Sequence, residues 1–405
     1  EKLWIEALFG LGQSKVLSEE IVDLLNSKKR LSSNKLICID SPADLYSNNG
    51  NTKSKNSCNS SATITVGLYK YPLIKDSGID YVGDLERIDI GIPKNILADF
   101  SIDQSLRISF SDLSNFSFPK PNRNKSKYQR GRVLVIAGSD KYRGAASLAL
   151  NGALASGTGS ISAFLPGSLS TGIWSIYPEV ILLGDLNIFP DGTSDFSKLL
   201  NNIDLNRFDS ILVGPGLGVP KQINCFGKLL RDFKGLLVLD ADAINRLSFL
   251  PDSLRWLNQR EGPTWLTPHK NEFSRLFPLL DISNPHKAAM DAAKMSRSSV
   301  LLKCAHSVIS DPDGRTWQIG EVNSSVARTG LGDVLAGFVT GMGALGLASE
   351  KSFDTELLAG SALMHAFAGA FCSKGSTASS VSGFLSEFVK KNFDSKCFET
   401  NIYRP

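Results

Sequence analysis

The sequence predicts an α/β protein, with a mostly parallel sheet covered by helices on both faces and a smaller α/β segment in front of it. Three observations predict this. Short, continuously apolar runs recur at residues 133–137, 161–165, 211–214 and 236–239, and such runs without polar alternation suit strands buried on both faces. Segments with helical spacing, such as 145–156 and 334–346, alternate with them, and strand–helix alternation builds a parallel sheet. The apolar runs end in turns rich in Gly, Asp or Pro, where ligands of such sheets bind.

Taken in order, residues 1–93 form a first domain. Residues 36–40 read as a buried strand ending in Asp40, 62–67 as another, and 85–92 as a last strand stopped by Pro93. The Asn- and Ser-rich stretch 47–61 reads as a loop. The chain opens on Glu1, and its first ten residues read as the middle of a domain, as in a truncated or processed chain. Residues 94–126, polar and Pro-containing near Phe118, read as a linker, and 127–405 as the second domain. Within it, 301–303 and 307–310 suggest a hairpin or strand edge. Residues 334–346 read as a helix with Leu335, Phe338, Val339 and Met342 on its buried face.

A net charge of +4 over 405 residues does not suggest nucleic-acid binding. No apolar run is read as reaching the roughly 18 residues of a membrane span. The six cysteines form no Cys-x-x-Cys pair, which points away from zinc and toward reduced thiols in the cytoplasm.

The chemistry concentrates at turns. Gly330-Leu331-Gly332-Asp333 opens an apolar helix. Backbone N–H groups at such a start gather negative charge, and an aspartate there can take a proton from an attacking hydroxyl. The same residues also suit a tight turn with Asp333 capping its helix. Gly138-Ser139 through Gly144-Ala145 follows one strand, and Gly214-Pro215-Gly216-Leu217-Gly218 another; each is either a ligand-facing loop or an inert turn. Asp240 and Asp242 can contact Mg²⁺ through water or cap a helix. His269 in Thr267-Pro268-His269 can donate to a ligand, with Glu272 as a cap or a water-mediated metal contact. Lys303, ahead of Cys304-Ala305-His306-Ser307, can reach a phosphate or simply snorkel.

Taken together, Gly-Pro-Gly-Leu-Gly, Leu-Asp-Ala-Asp-Ala-Ile-Asn, Leu-Thr-Pro-His-x-x-Glu-Phe, Leu-Lys and Gly-x-Gly-Asp-Val-Leu-Ala-Gly resemble, in their order, the ADP/ATP-dependent NAD(P)H-hydrate dehydratase family over residues 127–373. The resemblance implies a ribokinase-like three-layer fold. It also implies repair of hydrated NADH or NADPH: a ring hydroxyl is phosphorylated from ADP or ATP with Mg²⁺, and phosphate loss restores the double bond. It implies Asp333 as the base, with Gly144, Ala145, Gly218, His269 and Asp333 around the NAD(P)HX substrate. Lys303, Cys304, Ala305, His306, Ser307, Gly330 and Gly332 would hold the nucleotide. Relatives suggest a homo-oligomer. Thr329 and Leu331 depart from the family's usual Gly and Ser/Thr, and Cys304 from a common Gly.

The front domain resembles part of a Rossmann-like NAD(P)H-hydrate epimerase domain, through residues 6–12, Ile39-Asp40-Ser41-Pro42-Ala43 and residues 89–93. Glu6 replaces an Asp and Ala43 a Ser at positions that family uses for K⁺. The resemblance therefore implies little or no epimerase activity.

Overall fold

The computed structural model describes residues 3–10, 13, 15–31, 35–45, 56–98, 106–119, 124, 126–220, 226–320, 327–349, 353–372 and 375–393. The chain divides into two compact units, residues 1–104 and 105–405.

The first unit is a four-stranded parallel sheet in the order β1 (Trp4–Glu6), β2 (Leu36–Ile39), β3 (Ala62–Val66) and β4 (Asp84–Ile88). The strand expected over 85–92 stops at Ile88, and the chain turns at Gly91 with φ 76°. The helix Glu19–Leu31 supplies Leu25 to a small core with Leu17, Leu36, Cys38, Ala43 and Cys58. Most of the loop expected over 47–61, together with Leu11 and Gly12, lies outside the described residues.

Among its described residues the second unit carries eleven strands. They are β5 (Leu106–Ile108), β6 (Arg132–Ile136), β7 (Ser160–Pro166), β8 (Val180–Ile188), β9 (Ser194–Asp195), β10 (Ser210–Val213), β11 (Leu236–Leu239), β12 (Thr264–Leu266), β13 (Ser299–Leu302), β14 (Val308–Ser310) and β15 (Thr316–Ile319). The sheet order is β5-β15-β14-β13-β12-β11-β10-β6-β7-β8-β9. From β13 to β8 neighbouring strands are parallel, while β13 and β14 form the expected antiparallel hairpin and β15 adds a further antiparallel strand. Part of the stretch read as a linker is thus an edge strand, since β5 pairs in parallel with β15.

Side chains of the central strands alternate between two cores. Val133, Val135 and Leu212 face one, and Leu134, Ile136, Ile211 and Val213 face the other. The first core is covered by the helices Arg143–Ala155, Leu331–Ala348, Thr355–Phe371 and Ala378–Phe393. The second is covered by shorter helices, among them Asp242–Ser248, Lys270–Leu276 and Pro285–Ser296. This is the three-layer arrangement expected of the fold.

The Leu331–Ala348 helix corrects two expectations. It is buried on all sides from Val334 to Gly346 rather than on one face, because it lies between the sheet and its neighbouring helices. It is also 18 residues long with mean hydropathy 1.5, enough by length and composition to cross a membrane, but 72% of it is buried in the core. Its backbone packs directly on the Arg143–Ala155 helix. A Cβ at Gly337 would come within 1.9 Å of the Ala149 carbonyl oxygen, and one at Gly152 within 2.0 Å of that of Val334. This contact fixes the start of the helix, and so Asp333, relative to the turn after β6.

Candidate active site

Three neighbouring strands end in residues that meet. Asp240 follows β11, Thr267 follows β12 and Lys303 follows β13. Asp240 Oδ1 accepts from Thr267 Oγ1 at 2.7 Å and from Lys303 Nζ at 2.6 Å. Asp240 is 1% exposed, and burial of a carboxylate calls for such pairing. The Lys303 ammonium is part-buried in this pair.

The Leu331–Ala348 helix brings its N-terminus to the same place. A Cβ on Gly332 would lie 3.4 Å from Lys303 Nζ. Gly330 takes φ 94° as the residue before the helix, and a Cβ there would come within 2.3 Å of Leu148 Cδ1. Gly330 is therefore favoured by its left-handed backbone, and a side chain there would also displace the end of Leu148. Asp333, on the first turn, is pushed up to about 7, mainly by burial and then by the charge of Asp240, with Lys303 opposing. A base with that pKa is matched to proton transfer near neutral pH.

Glu272 joins the group from the next turn. It is buried and pushed up to about 7 by burial, with Asp240 and Asp242 adding and Lys303 opposing. Burial disfavours the Lys303 ammonium, but Asp240, Glu272 and Asp333 outweigh it and raise its pKa.

His269 and Glu272 form a capping box on the Lys270–Leu276 helix. The His269 N–H donates to Glu272 Oε2 at 2.9 Å, and His269 Nδ1 accepts from the N–H groups of Asn271 at 3.0 Å and Glu272 at 3.3 Å. With Nδ1 accepting, the ring proton sits on Nε2, 3.0 Å from Glu272 Oε1. Glu272 is thus a cap, one of its two expected roles. The His269 side chain is still 49% exposed. Its pKa is lowered by burial and by Lys303 and Arg275, so it is neutral at pH 7.

The other predicted residues form an adjoining wall. Gly216, at φ 66°, packs under the start of the Arg143–Ala155 helix, where its Cβ would meet Ala145 Cβ at 2.8 Å. Ala145 is half-buried, and Gly144 is exposed with nothing near its Cβ position. Gly218 donates its N–H to Asp242 Oδ2 at 2.7 Å, so Asp242 holds a backbone group of this wall. Cys304, Ala305, His306 and Ser307 form the turn from β13 to β14. Ser307 Oγ accepts from the Cys304 N–H at 3.3 Å and donates to its carbonyl at 3.0 Å. Ala305 faces outward and His306 is buried.

Sequence reasoning missed the partnership of Asp240 with Lys303, because strand adjacency is not written in a motif. It also missed His365, which reaches the backbone of Leu331 and is pushed down to about 4, chiefly by burial. Among the described residues no group of three or more His, Cys, Asp and Glu side chains is arranged to hold a metal ion.

The first unit has its own buried polar cluster. The Glu6 carboxylate accepts from the Ala43 N–H and from Cys38 Sγ at 3.6 Å, and burial raises its pKa. Lys70 pairs with Asp40 and donates to Thr65 Oγ1 at 2.9 Å and to the Val66 carbonyl at 2.8 Å.

A three-layer α/β unit with an aspartate on the first turn of a glycine-led helix, beside a lysine–carboxylate pair, defines the ribokinase-like class. The family model for NAD(P)H-hydrate dehydratase matches residues 133–388, and the chain belongs to that family. It is 33% identical over 381 residues to the bifunctional NAD(P)H-hydrate repair enzyme Nnr of Synechocystis sp., covering 93% of this chain and 70% of that one. It is also 33% identical over 372 residues to the enzyme of the same name from Gloeobacter violaceus, covering 91% and 70%. Among solved structures, the ADP/ATP-dependent NAD(P)H-hydrate dehydratase from Bacillus subtilis, co-crystallised with ATP/Mg²⁺, matches with TM-score 0.57 and 26% identity, over 70% of this chain and 97% of that one. A ribokinase-like superfamily protein from Enterococcus faecalis matches the fold with TM-score 0.57 and 24% identity, over 72% and 97%.

Proposed function

We propose that this chain restores NADH and NADPH from the S-form of their hydrates, with ADP or ATP as phosphoryl donor. The observation that carries the reading is Asp333, poised near neutrality on a glycine-led helix start beside Lys303. Asp333 takes the proton of the ring hydroxyl as its oxygen forms a bond to the terminal phosphorus and the donor's bridging P–O bond breaks. The N–H groups around Gly330 and Gly332 receive the negative charge of the transferring group. Phosphate then leaves with the C–O bonding pair, a proton leaves the neighbouring ring carbon to solvent, and the C–H pair becomes the restored double bond. Gly144, Ala145, Gly218 and His269 would take the hydrated dinucleotide, with Gly216 packed under Ala145, and residues 304–307 would contact the nucleotide.

The donor set fits Mg²⁺ as a hydrated ion carried by the phosphates, since Asp240 is already committed to Thr267 and Lys303. Bound there, Mg²⁺ would neutralise charge on the transferring phosphoryl group. The test is to incubate the protein with NADHX, Mg²⁺ and either ADP or ATP, and to follow NADH absorbance and orthophosphate. Recovery of both supports the reading. A stable phosphate ester without NADH would instead mark a ribokinase-like small-molecule kinase, and binding without turnover a non-catalytic protein.

We infer further that the first unit, residues 1–93 in the epimerase-like reading, has little or no epimerase activity. Glu6 spends its carboxylate on Ala43 and Cys38, and Ala43 has no hydroxyl to offer a cation. Interconversion of the R and S hydrates well above the spontaneous rate would overturn this. We propose a cytoplasmic location, in keeping with six cysteines that form no Cys-x-x-Cys pair in the sequence. The family resemblance also favours a homo-oligomer, to be read by light scattering.

A further inference from the structure

Arg246 is a large side chain with 1% exposure, placed one turn after Asp242 in the Asp242–Ser248 helix. Its Nε donates to the Gly218 carbonyl at 2.6 Å, and its Nη2 donates to the carbonyls of Leu217 and Ser194, each at 2.8 Å. The guanidinium also lies over the Phe196 ring, 5.9 Å from its centroid. Asp242 holds the N–H of Gly218 from the same helix, so both polar ends of this residue are gripped by one element. Ser194 extends the connection: its N–H donates to the Leu217 carbonyl at 2.9 Å and its Oγ to the Gly138 carbonyl at 2.7 Å. The turn after β6, the β9 segment and the turn after β10 are therefore tied to a single buried fork of donors.

We propose that Arg246 is a positioning residue that sets the shape of the dinucleotide-binding wall. The inference rests on the reading that this wall, through Gly218 and Ala145, takes the hydrated dinucleotide. A planar fork can satisfy several carbonyls at fixed angles, which a lysine cannot do. Without it the glycine turn keeps its sequence but loses the register of its backbone groups. The phosphoryl-donor side is built from other elements, the end of β13 and the start of the Leu331–Ala348 helix. Loss of Arg246 should thus act on one substrate and spare the other.

The test compares Arg246→Met and Arg246→Lys with the wild type, measuring KM for NADHX and for ATP separately, with equilibrium binding of NADPH and of ATP as a readout independent of turnover. The expected result is a rise of about tenfold or more in the NADHX KM for Arg246→Met, a parallel weakening of NADPH binding, an ATP KM within about twofold, and a smaller NADHX effect for Arg246→Lys. An unchanged NADHX KM in a folded variant, or equal rises in both KM values, overturns the proposal. If Arg246→Met does not fold, Arg246→Lys decides by the same criterion. Failure of the wild type to regenerate NADH would sink the dehydratase reading itself, and this inference with it; wild-type turnover with an unaltered variant sinks only this inference.

Discussion

Lys303 Nζ lies 2.6 Å from Asp240 Oδ1, so the cation at the end of β13 is answered by a carboxylate two strands away, at the end of β11. Thr267, at the end of the strand between them, donates to the same oxygen. This pair sets the field in which Asp333 and Glu272 titrate, since Asp240 raises both and Lys303 lowers both.

Replacing Lys303 by Met leaves Asp240 buried without its cation. Stability should fall by about 3–5 kcal/mol, the range for breaking a buried pair, measured by urea unfolding at pH 7. In the surviving enzyme the Asp333 carboxyl loses a lowering influence, so the ascending limb of kcat against pH should move to higher pH.

Asp333→Asn should lower kcat by about 10²–10⁴-fold, the usual contribution of a general base, while the KM for NADHX stays within a few-fold. The wild-type rate should rise with pH through about 7, and that limb should vanish in the variant. Survival of turnover would remove Asp333 from the role of base.

The same substitution has a stability signature. The folded pKa of Asp333 is raised above its unfolded value, so the carboxyl's contribution is present at low pH and is lost as pH climbs from about 4 to about 7. Asp333→Asn should therefore be more stable than wild type at pH 8, by on the order of 1–2 kcal/mol, and show no such advantage at pH 4. Unfolding curves at the two pH values check this.

The two glycines of the helix start should respond differently to alanine. Gly330→Ala faces both φ 94° and Leu148 Cδ1 at 2.3 Å, and should cost about 1–3 kcal/mol from backbone strain alone. Gly332→Ala meets nothing closer than Lys303 Nζ at 3.4 Å. It should fold normally and, if the N–H groups here receive the transferring group as proposed, lower kcat.

His269→Ala removes a helix cap, which is worth about 1 kcal/mol, and strips Glu272 of its ring N–H partner. The NADHX KM should rise and the ATP KM should not. Because His269 is held neutral at pH 7, its removal should leave the pH profile near 7 in place.

The central strands could be read from the sequence because they are continuously apolar, and the motifs because each sits at a strand end. Leu236–Leu239 as a strand and the helix from Leu331 follow directly from their residues. The edge strand Leu106–Ile108 did not stand out: its flanks are polar, and its partner β15 is distant in sequence. Asp333 could be found by its glycines. The Asp240–Lys303 pair could not, because it depends on which strands become neighbours. Arg246 was equally hidden, since its acceptors are backbone carbonyls that any residue supplies.

The pairing of β5 with β15 bears on how the chain is made. Arg107, in the middle of β5, donates to the carbonyl of Gly320, 213 residues further on. The first strand of the larger unit must therefore wait until β15, at Thr316–Ile319, has been synthesised before it finds its place. Contacts of such range are slow to form, because loop closure precedes any gain from them. During translation β6, β7 and β10 can assemble early, while residues 106–108 remain an unpaired strand. Mutations that weaken β15 should thus appear first as lower yield of folded protein, before any change in the finished enzyme.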